Sequence, residues 1–245
     1  MTVLRFAVAN ANVVFPISSF NGMAGGPITY GVLYRTDDIG VTRTIVEIGI
    51  TAGGRIGLGV SSGDFFRFYN GGSTRDGPTT PSGWFLCVTT KATGSVVPRY
   101  HIYDFTAGTW SHGAQGAATA NQTLGNGEVR FGESLAAAQD WTGDVGLGFL
   151  ANIELSDAAV EAMTTNRKTS DIWTAISGAT IFDLYELISG SAITSLGGSA
   201  ETSRSGTTTT DETIPGGWTF DGVGGGAPTE DPYSYVGGGY FPTEG

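Results

Sequence analysis

The 245-residue chain carries 40 glycines, 5 Trp, 9 Tyr and 13 Phe, only 14% charged residues, and a formal net charge of −11. Glycine at roughly twice its usual share, with few lysines, excludes a helical bundle, because glycine weakens helices while threonine and aromatics favour strands. The acidic balance argues against nucleic acid and membrane surfaces as partners, since both select Lys/Arg patches, and the 40% hydrophobic content is enough to bury a core.

At the N-terminus, Ala7, Ala9 and Ala11 suit a signal-peptide cleavage region, but Asn10 and Asn12 interrupt its apolar part, so secretion by this route is not expected. Short apolar or alternating runs then recur between Gly, Asp, Asn and Pro, the pattern of an antiparallel two-sheet sandwich. It predicts strands over residues 4–8, 28–35, 44–50, 55–60, 65–70, 84–90, 99–105, 129–132, 144–153, 180–185 and 218–220. Cys87, the single cysteine, lies in the apolar run from Trp84 to Val88 and reads as a core residue. Val145, Leu147, Phe149, Ala151 and Ile153 alternate with Gly146, Gly148 and Asn152, which predicts one packed face and one bare one.

Ser156 caps a short helix running to Met163, with Asp157 where the helix dipole favours negative charge and Leu155 and Val160 at staple spacing. A second short helix starts at Ser170-Asp171 and runs to Ile176. At about two turns each, both need the sandwich to pack against. After Arg204 every charge is acidic, and residues 222–228 read as a Gly-rich linker. The chain therefore divides into a sandwich, 1–221, and an acidic tail, 222–245, whose Tyr233, Tyr235, Tyr240 and Phe241 cannot build a core and are expected to dock on a neighbour.

The chemical motifs are sparse. Gly59-Val60-Ser61-Ser62-Gly63 has the spacing of a nucleophile elbow, but a strand-like segment follows where the elbow requires a helix, so a hairpin turn is expected. The two histidines, His101 and His112, are the only imidazoles. His101 alternates with Arg99 and Tyr103 along a strand and is expected on a surface or groove rather than in catalysis. The carboxylate pattern of β-sandwich glucanases finds its nearest match at residues 181–186, where Ile181 replaces the first Glu, and Glu128 and Glu133 are expected on opposite strand faces. A hydrolase would need carboxylates assembled from distant segments, paired across an open groove. Calcium could find oxygens at Asp37-Asp38 or at Asp140 with Asp144, but no cofactor is expected. Asn121-Gln122-Thr123 fits the glycosylation pattern. For sugar recognition the candidates are Tyr69, Asn70, Arg75, Asp76 and Trp110, while Trp84, Trp141 and Trp173 are expected in the core.

The stretch Asp140–Leu150 followed by Leu155-Ser156-Asp157 resembles the late strand and Leu-Ser-Asp helix of LamG-like, concanavalin A-like jelly-roll domains, and Gly83–Val88 is similar to their central strand. The resemblance spans roughly residues 27–185 and implies a jelly-roll fold. Lacking the glucanase carboxylates, and with an acidic C-terminal extension, the chain looks like bacteriophage members of that superfamily. That likeness implies a non-enzymatic minor tail or head-decoration protein, assembled in the host cytoplasm into the virion and contacting other virion proteins and copies of itself. The alternative is a lectin-like module recognising host-surface glycans.

Overall fold

A computed structural model describes residues 2–17, 26–36, 40–49, 55–70, 73–80, 82–95, 97–114, 127–134, 139–188, 193, 195–196 and 200–221. The tail aromatics Tyr233, Tyr235, Tyr240 and Phe241, the Asp37-Asp38 pair and the Asn121 sequon lie outside the described residues.

Among these, two antiparallel sheets stack face to face. The strands are β1 (Thr2–Phe6), β2 (Asn12–Ile17), β3 (Ile28–Thr36), β4 (Arg43–Gly49), β5 (Arg55–Val60), β6 (Phe65–Asn70), β7 (Ser73–Thr79), β8 (Gly83–Lys91), β9 (Arg99–Asp104), β10 (Thr109–Ala114), β11 (Gly127–Phe131), β12 (Gly143–Ala151), β13 (Phe182–Glu186), β14 (Ser203–Ser205) and β15 (Thr207–Asp211). The first sheet runs β10-β9-β8-β3-β12-β1-β15 with β13 also on β12; the second runs β14-β2-β11-β4-β5-β6-β7. The non-consecutive neighbours β8-β3-β12-β1-β15 in the first sheet and β14-β2-β11-β4 in the second make this the jelly-roll sandwich expected from the sequence. Five strands, β2, β7, β10, β14 and β15, were not legible as such, because their polar or proline-bearing sequences lack apolar alternation. Residues 218–220, expected as a strand, contribute only an isolated bridge from Thr219 to Lys168.

The inter-sheet core holds Phe6, Phe15, Tyr34, Phe85, Cys87, Phe131 and Trp141, with Trp141 edge-on to Tyr34 at 5.3 Å. A second core covers the outer face of the first sheet, where Leu33, Trp84, Leu86, Val88, Leu147 and Phe149 meet Val160, Met163, Ile172, Ile176 and Trp218. The expectation of one bare face on the strand after Asp144 is thus corrected: every residue of β12 is buried. The register against β3 shifts between Val145 and Leu147, so Gly146 acts as the extra residue of a bulge. Val145 consequently faces the inter-sheet core, while Leu147, Phe149 and Ala151 face outward and require a cover.

That cover is helical. Ser156, extended at φ −71°, accepts a hydrogen bond from Ala159 N and starts α1 (Asp157–Glu161), which runs into a 3-10 turn, Ala162–Thr164. α2 (Thr169–Ile176) buries Ile172 and Ile176 beside it, and Ser170 is held by Asp221 through both its N–H and its hydroxyl at 2.9 and 2.6 Å. Neither helix is long enough to persist alone, so the apolar outer face of the first sheet and the two helices stabilise one another. Among the described residues no helix is long and apolar enough to cross a membrane.

Candidate functional site

β9 and β10 form a hairpin at the edge of the first sheet. Its turn is shaped by Asp104, whose Oδ1 accepts from Thr106 N and Ala107 N at 2.7 and 3.0 Å, and by Gly108 at φ +69°. The register puts Asp104 opposite Thr109, Tyr103 opposite Trp110, and His101 opposite His112. Alternation aims Arg99, His101 and Tyr103 of β9, with Trp110 and His112 of β10, toward the helical side. There α1 and the 3-10 turn present Asp157, Glu161 and Thr164.

The result is a continuous strip along the sheet edge. Arg99 Nη2 donates to both carboxylate oxygens of Asp157 at 2.9 and 2.8 Å. His101 Nδ1 stands 2.8 Å from His112 Nδ1 and 3.6 Å from Asp157 Oδ1. His112 Nε2 lies 3.0 Å from Glu161 Oε1, and its ring stacks on Trp110 at 5.6 Å with 14° between planes. Trp110 Nε1 donates to Thr164 Oγ1 at 3.1 Å, and the indole also leans on Tyr103 at 5.2 Å. Trp110 is half-buried, with its orientation fixed by three neighbours. Beside Arg99 and Asp157 opens a groove of about 540 Å³, also lined by Glu154, Leu155, Ser156 and Ala158.

The electrostatics follow from these neighbours. Hydrogen bonds from the Arg99 guanidinium lower the pKa of the Asp157 carboxyl below the usual carboxylate value, so it is ionised at neutral pH. Burial, reinforced by the adjacent His112, pushes His101 down to about 4, so its imidazole is neutral there. Glu154 and Asp157 line the groove from one wall, three residues apart, and Asp157 is committed to Arg99.

The five sugar-site candidates are not brought together. Tyr69 is not an exposed platform but 1% exposed. It alternates with the core residues Phe66 and Phe68, its hydroxyl lies 3.4 Å from Gln139 Oε1, and the Arg55 guanidinium sits 5.4 Å above its ring. Asn70 ends β6. Asp76 is exposed but engaged in a two-point ion pair with Arg67 at 2.6 and 2.9 Å, and Arg75 Nη1 donates to Thr74 O. All four belong to the second sheet, whereas Trp110 lies on the helical side of the first. What the sequence reading missed is the histidine pair. The signal was the turn: Asp104 and Thr109 close a hairpin, and counting outward from them places His112 opposite His101.

Other expectations resolve as follows. Ser61 N donates to Phe65 O at 2.9 Å, so the Gly-x-Ser-x-Gly segment is the β5–β6 hairpin turn rather than an elbow. Trp84 and Trp141 are buried as expected. Trp173 is only partly buried, packed against the outer core. Asp144 is fully buried between Arg5 and Arg35, each 3.3 Å away, while Asp140 accepts from Asn10 N, so the two do not share a cation site. Glu128 and Glu133 do not diverge: Gly132 at φ +88° turns the chain, and both carboxylates reach Arg130 at 2.6 Å.

These features define a two-sheet antiparallel jelly-roll sandwich with a helix-covered outer face and a polar, aromatic strip at one edge. No family model matches the sequence, and no curated protein matches it. Among solved structures, a candidate carbohydrate binding protein from Bacteroides ovatus superposes with TM-score 0.59 at 14% identity, covering 87% of this chain. The present chain spans 60% of that protein's length. Domains LG4-5 of the mouse laminin alpha1 chain give TM-score 0.44 at 14% identity over 62% of this chain and 42% of that one. The enzymatically active domain of bacteriophage CBA120 tailspike protein 2 gives 0.46 at 15% identity over 63% and 26%. The first likeness is one of fold; the other two superpose too loosely to carry an argument.

Proposed function

We propose that this protein is a non-enzymatic glycan-recognition module, with Trp110 as its stacking platform and the Arg99–Asp157 groove as its polar wall. The observation that carries this reading is a partly buried indole, immobilised by Thr164, His112 and Tyr103 on an edge strand, on the same strip whose far end opens at Arg99 and Asp157 into a groove. An indole face accepts the apolar C–H face of a pyranose, and a ring already fixed in place loses little entropy on binding. Planar charged groups such as the Arg99–Asp157 pair select hydroxyl orientation. The Bacteroides ovatus protein, similar in fold, is described as a candidate carbohydrate binding protein, which supports the same class of ligand. The non-catalytic part of the reading is supported by the groove's two acids, Glu154 and Asp157, sharing one short segment with Asp157 held by Arg99, where glycoside hydrolysis uses two carboxyl groups flanking the scissile bond.

The setting proposed is a bacteriophage particle, as a minor tail or head-decoration component. The missing glucanase carboxylates and the Gly/Thr-rich, acidic C-terminal extension, by which the chain resembles phage jelly-roll proteins, support it, as does an acidic surface that resists sticking to packaged nucleic acid. Repeated display on a particle would turn weak glycan contacts into useful avidity.

The test is a glycan array followed by calorimetry on the full chain. Wild-type protein binds at least one glycan class; Trp110→Ala weakens that binding at least about 10-fold while retaining cooperative unfolding, and Arg99→Gln weakens it too. An array with no reproducible hit, or equal binding by both variants, refutes the proposal.

A further inference from the structure

The geometry points to a binding site for one divalent transition-metal ion of the zinc class, held by His101 Nδ1, His112 Nδ1 and Asp157 Oδ1. One ligand atom from each of these residues lies within 4.8 Å of the other two, in the one group of three such ligands found among the described residues, and His101 Nδ1 stands 2.8 Å from His112 Nδ1 and 3.6 Å from Asp157 Oδ1. The inference stands whether or not a glycan occupies the neighbouring groove.

The outward ring nitrogens set where each imidazole carries its proton. His112 Nε2 faces Glu161 Oε1 at 3.0 Å, a carboxylate oxygen that accepts, so this contact places the ring proton of His112 on Nε2. Its Nδ1 therefore directs a lone pair into the cluster. His101 Nε2 faces Thr90 Oγ1 at 2.9 Å, a hydroxyl able to accept or donate. With the threonine as acceptor, His101 Nδ1 also directs a lone pair inward, and the two lone pairs confront each other at 2.8 Å. Such an arrangement demands an electrophile between the nitrogens. Without metal, Thr90 donates instead, and His101 Nδ1–H supplies a proton to fill that position. With metal, His101 shifts that proton to Nε2, Thr90 turns to accept it, and no proton leaves the site.

Both imidazoles then have the outer partner that metal-bound histidines ordinarily have, a hydroxyl for one and a carboxylate for the other. Zinc–nitrogen bonds of about 2.0–2.1 Å in a tetrahedron place two ligand nitrogens about 3.3 Å apart, so the pair must open by about half an ångström. His112 can yield: it lies on the edge strand, with its side chain 17% exposed. His101 is fully buried and fixes the origin. Asp157 would bridge the ion and Arg99, each carboxylate oxygen having a second lone pair. Three protein ligands leave a fourth tetrahedral position open on the side of the partly exposed Asp157, as in zinc sites that take a water or an exogenous ligand. Two imidazoles and one carboxylate favour zinc, cobalt(II) or nickel(II) over calcium or magnesium.

The chain is well suited to the test, because it has two histidines in all and its one cysteine is buried. Tag-free full-length protein is titrated with Zn²⁺ by calorimetry and with Co²⁺ by visible absorption. We expect one ion per chain, a tetrahedral Co²⁺ spectrum, and no displacement by excess Ca²⁺ or Mg²⁺. His112→Ala should lower affinity at least about 100-fold, and Glu161→Gln, which alters only the outer partner, about 10-fold. Because burial of His101 puts folding at risk in a His101 variant, Asp157→Asn serves as the second ligand variant and should also weaken binding. Absence of stoichiometric Zn²⁺ binding, or an isotherm unchanged by His112→Ala and Asp157→Asn, overturns the assignment.

Discussion

Replacing Gly59 with alanine tests whether the Gly-x-Ser-x-Gly segment owes its glycines to strand packing. Gly59 lies in β5, paired with Thr44 of β4 just where the ladder shifts register. A Cβ built there would stand 2.1 Å from the Arg43 carbonyl oxygen and 2.9 Å from Tyr69 Cε2, against a floor of 3.0 Å for real contacts. The obstacle is backbone, which cannot rotate away, so the two strands must part by about 1 Å. That displacement weakens about two ladder hydrogen bonds, worth about 1 kcal/mol each, and adds overpacking of about 1–3 kcal/mol against Tyr69. We expect Gly59→Ala to destabilise the fold by about 2–4 kcal/mol. With a urea m-value of about 2–3 kcal/mol/M for a domain of this size, the unfolding midpoint should fall by about 1 M with m unchanged. A loss under about 0.5 kcal/mol would refute the reasoning, since it would mean that β4 and β5 accept a methyl group between them at no cost.

Two further outcomes follow from the site and the chain's C-terminal region. His101 has a folded-state pKa of about 4, depressed from about 6.5, so its neutral form favours folding. Its contribution is present above pH 6.5 and is lost as pH falls toward 4, at up to about 1.4 kcal/mol per pH unit, or about 2 kcal/mol by pH 5. The groups facing it are His112, Asp157 and Arg99, with Glu161 beyond His112. Denaturation curves at pH 7.5 and 5 in the presence of a chelator should therefore show a steeper loss for wild type than for His101→Gln, and parallel losses would contradict the assignment. Truncation after Asp221, which keeps the Ser170–Asp221 contacts on α2, should leave the sandwich folded while reducing incorporation into particles. Unimpaired incorporation would remove residues 222–245 as the docking element.

Amino-acid order alone settled the class of fold. A glycine- and aromatic-rich chain with period-two apolar runs can hide those side chains only between sheets, and Ser156-Asp157 marked the start of α1 through local capping chemistry. Order alone did not reveal which face β12 presents, because one bulge at Gly146 reverses the alternation on either side of it and no local signal marks a bulge. Nor did it reveal that Tyr69 is covered, since covering is done by Arg55 and Gln139 from other segments. The strip of Arg99, His101, Trp110, His112, Asp157 and Glu161 shows the division most directly. Hairpin pairing between residues eleven apart sets the two imidazoles opposite each other, and a helix more than forty residues later supplies the carboxylates. The first relation is a matter of strand register and could be counted along the chain. The second exists because the apolar outer face of the first sheet had to be covered, a requirement visible only once both faces of that sheet are known.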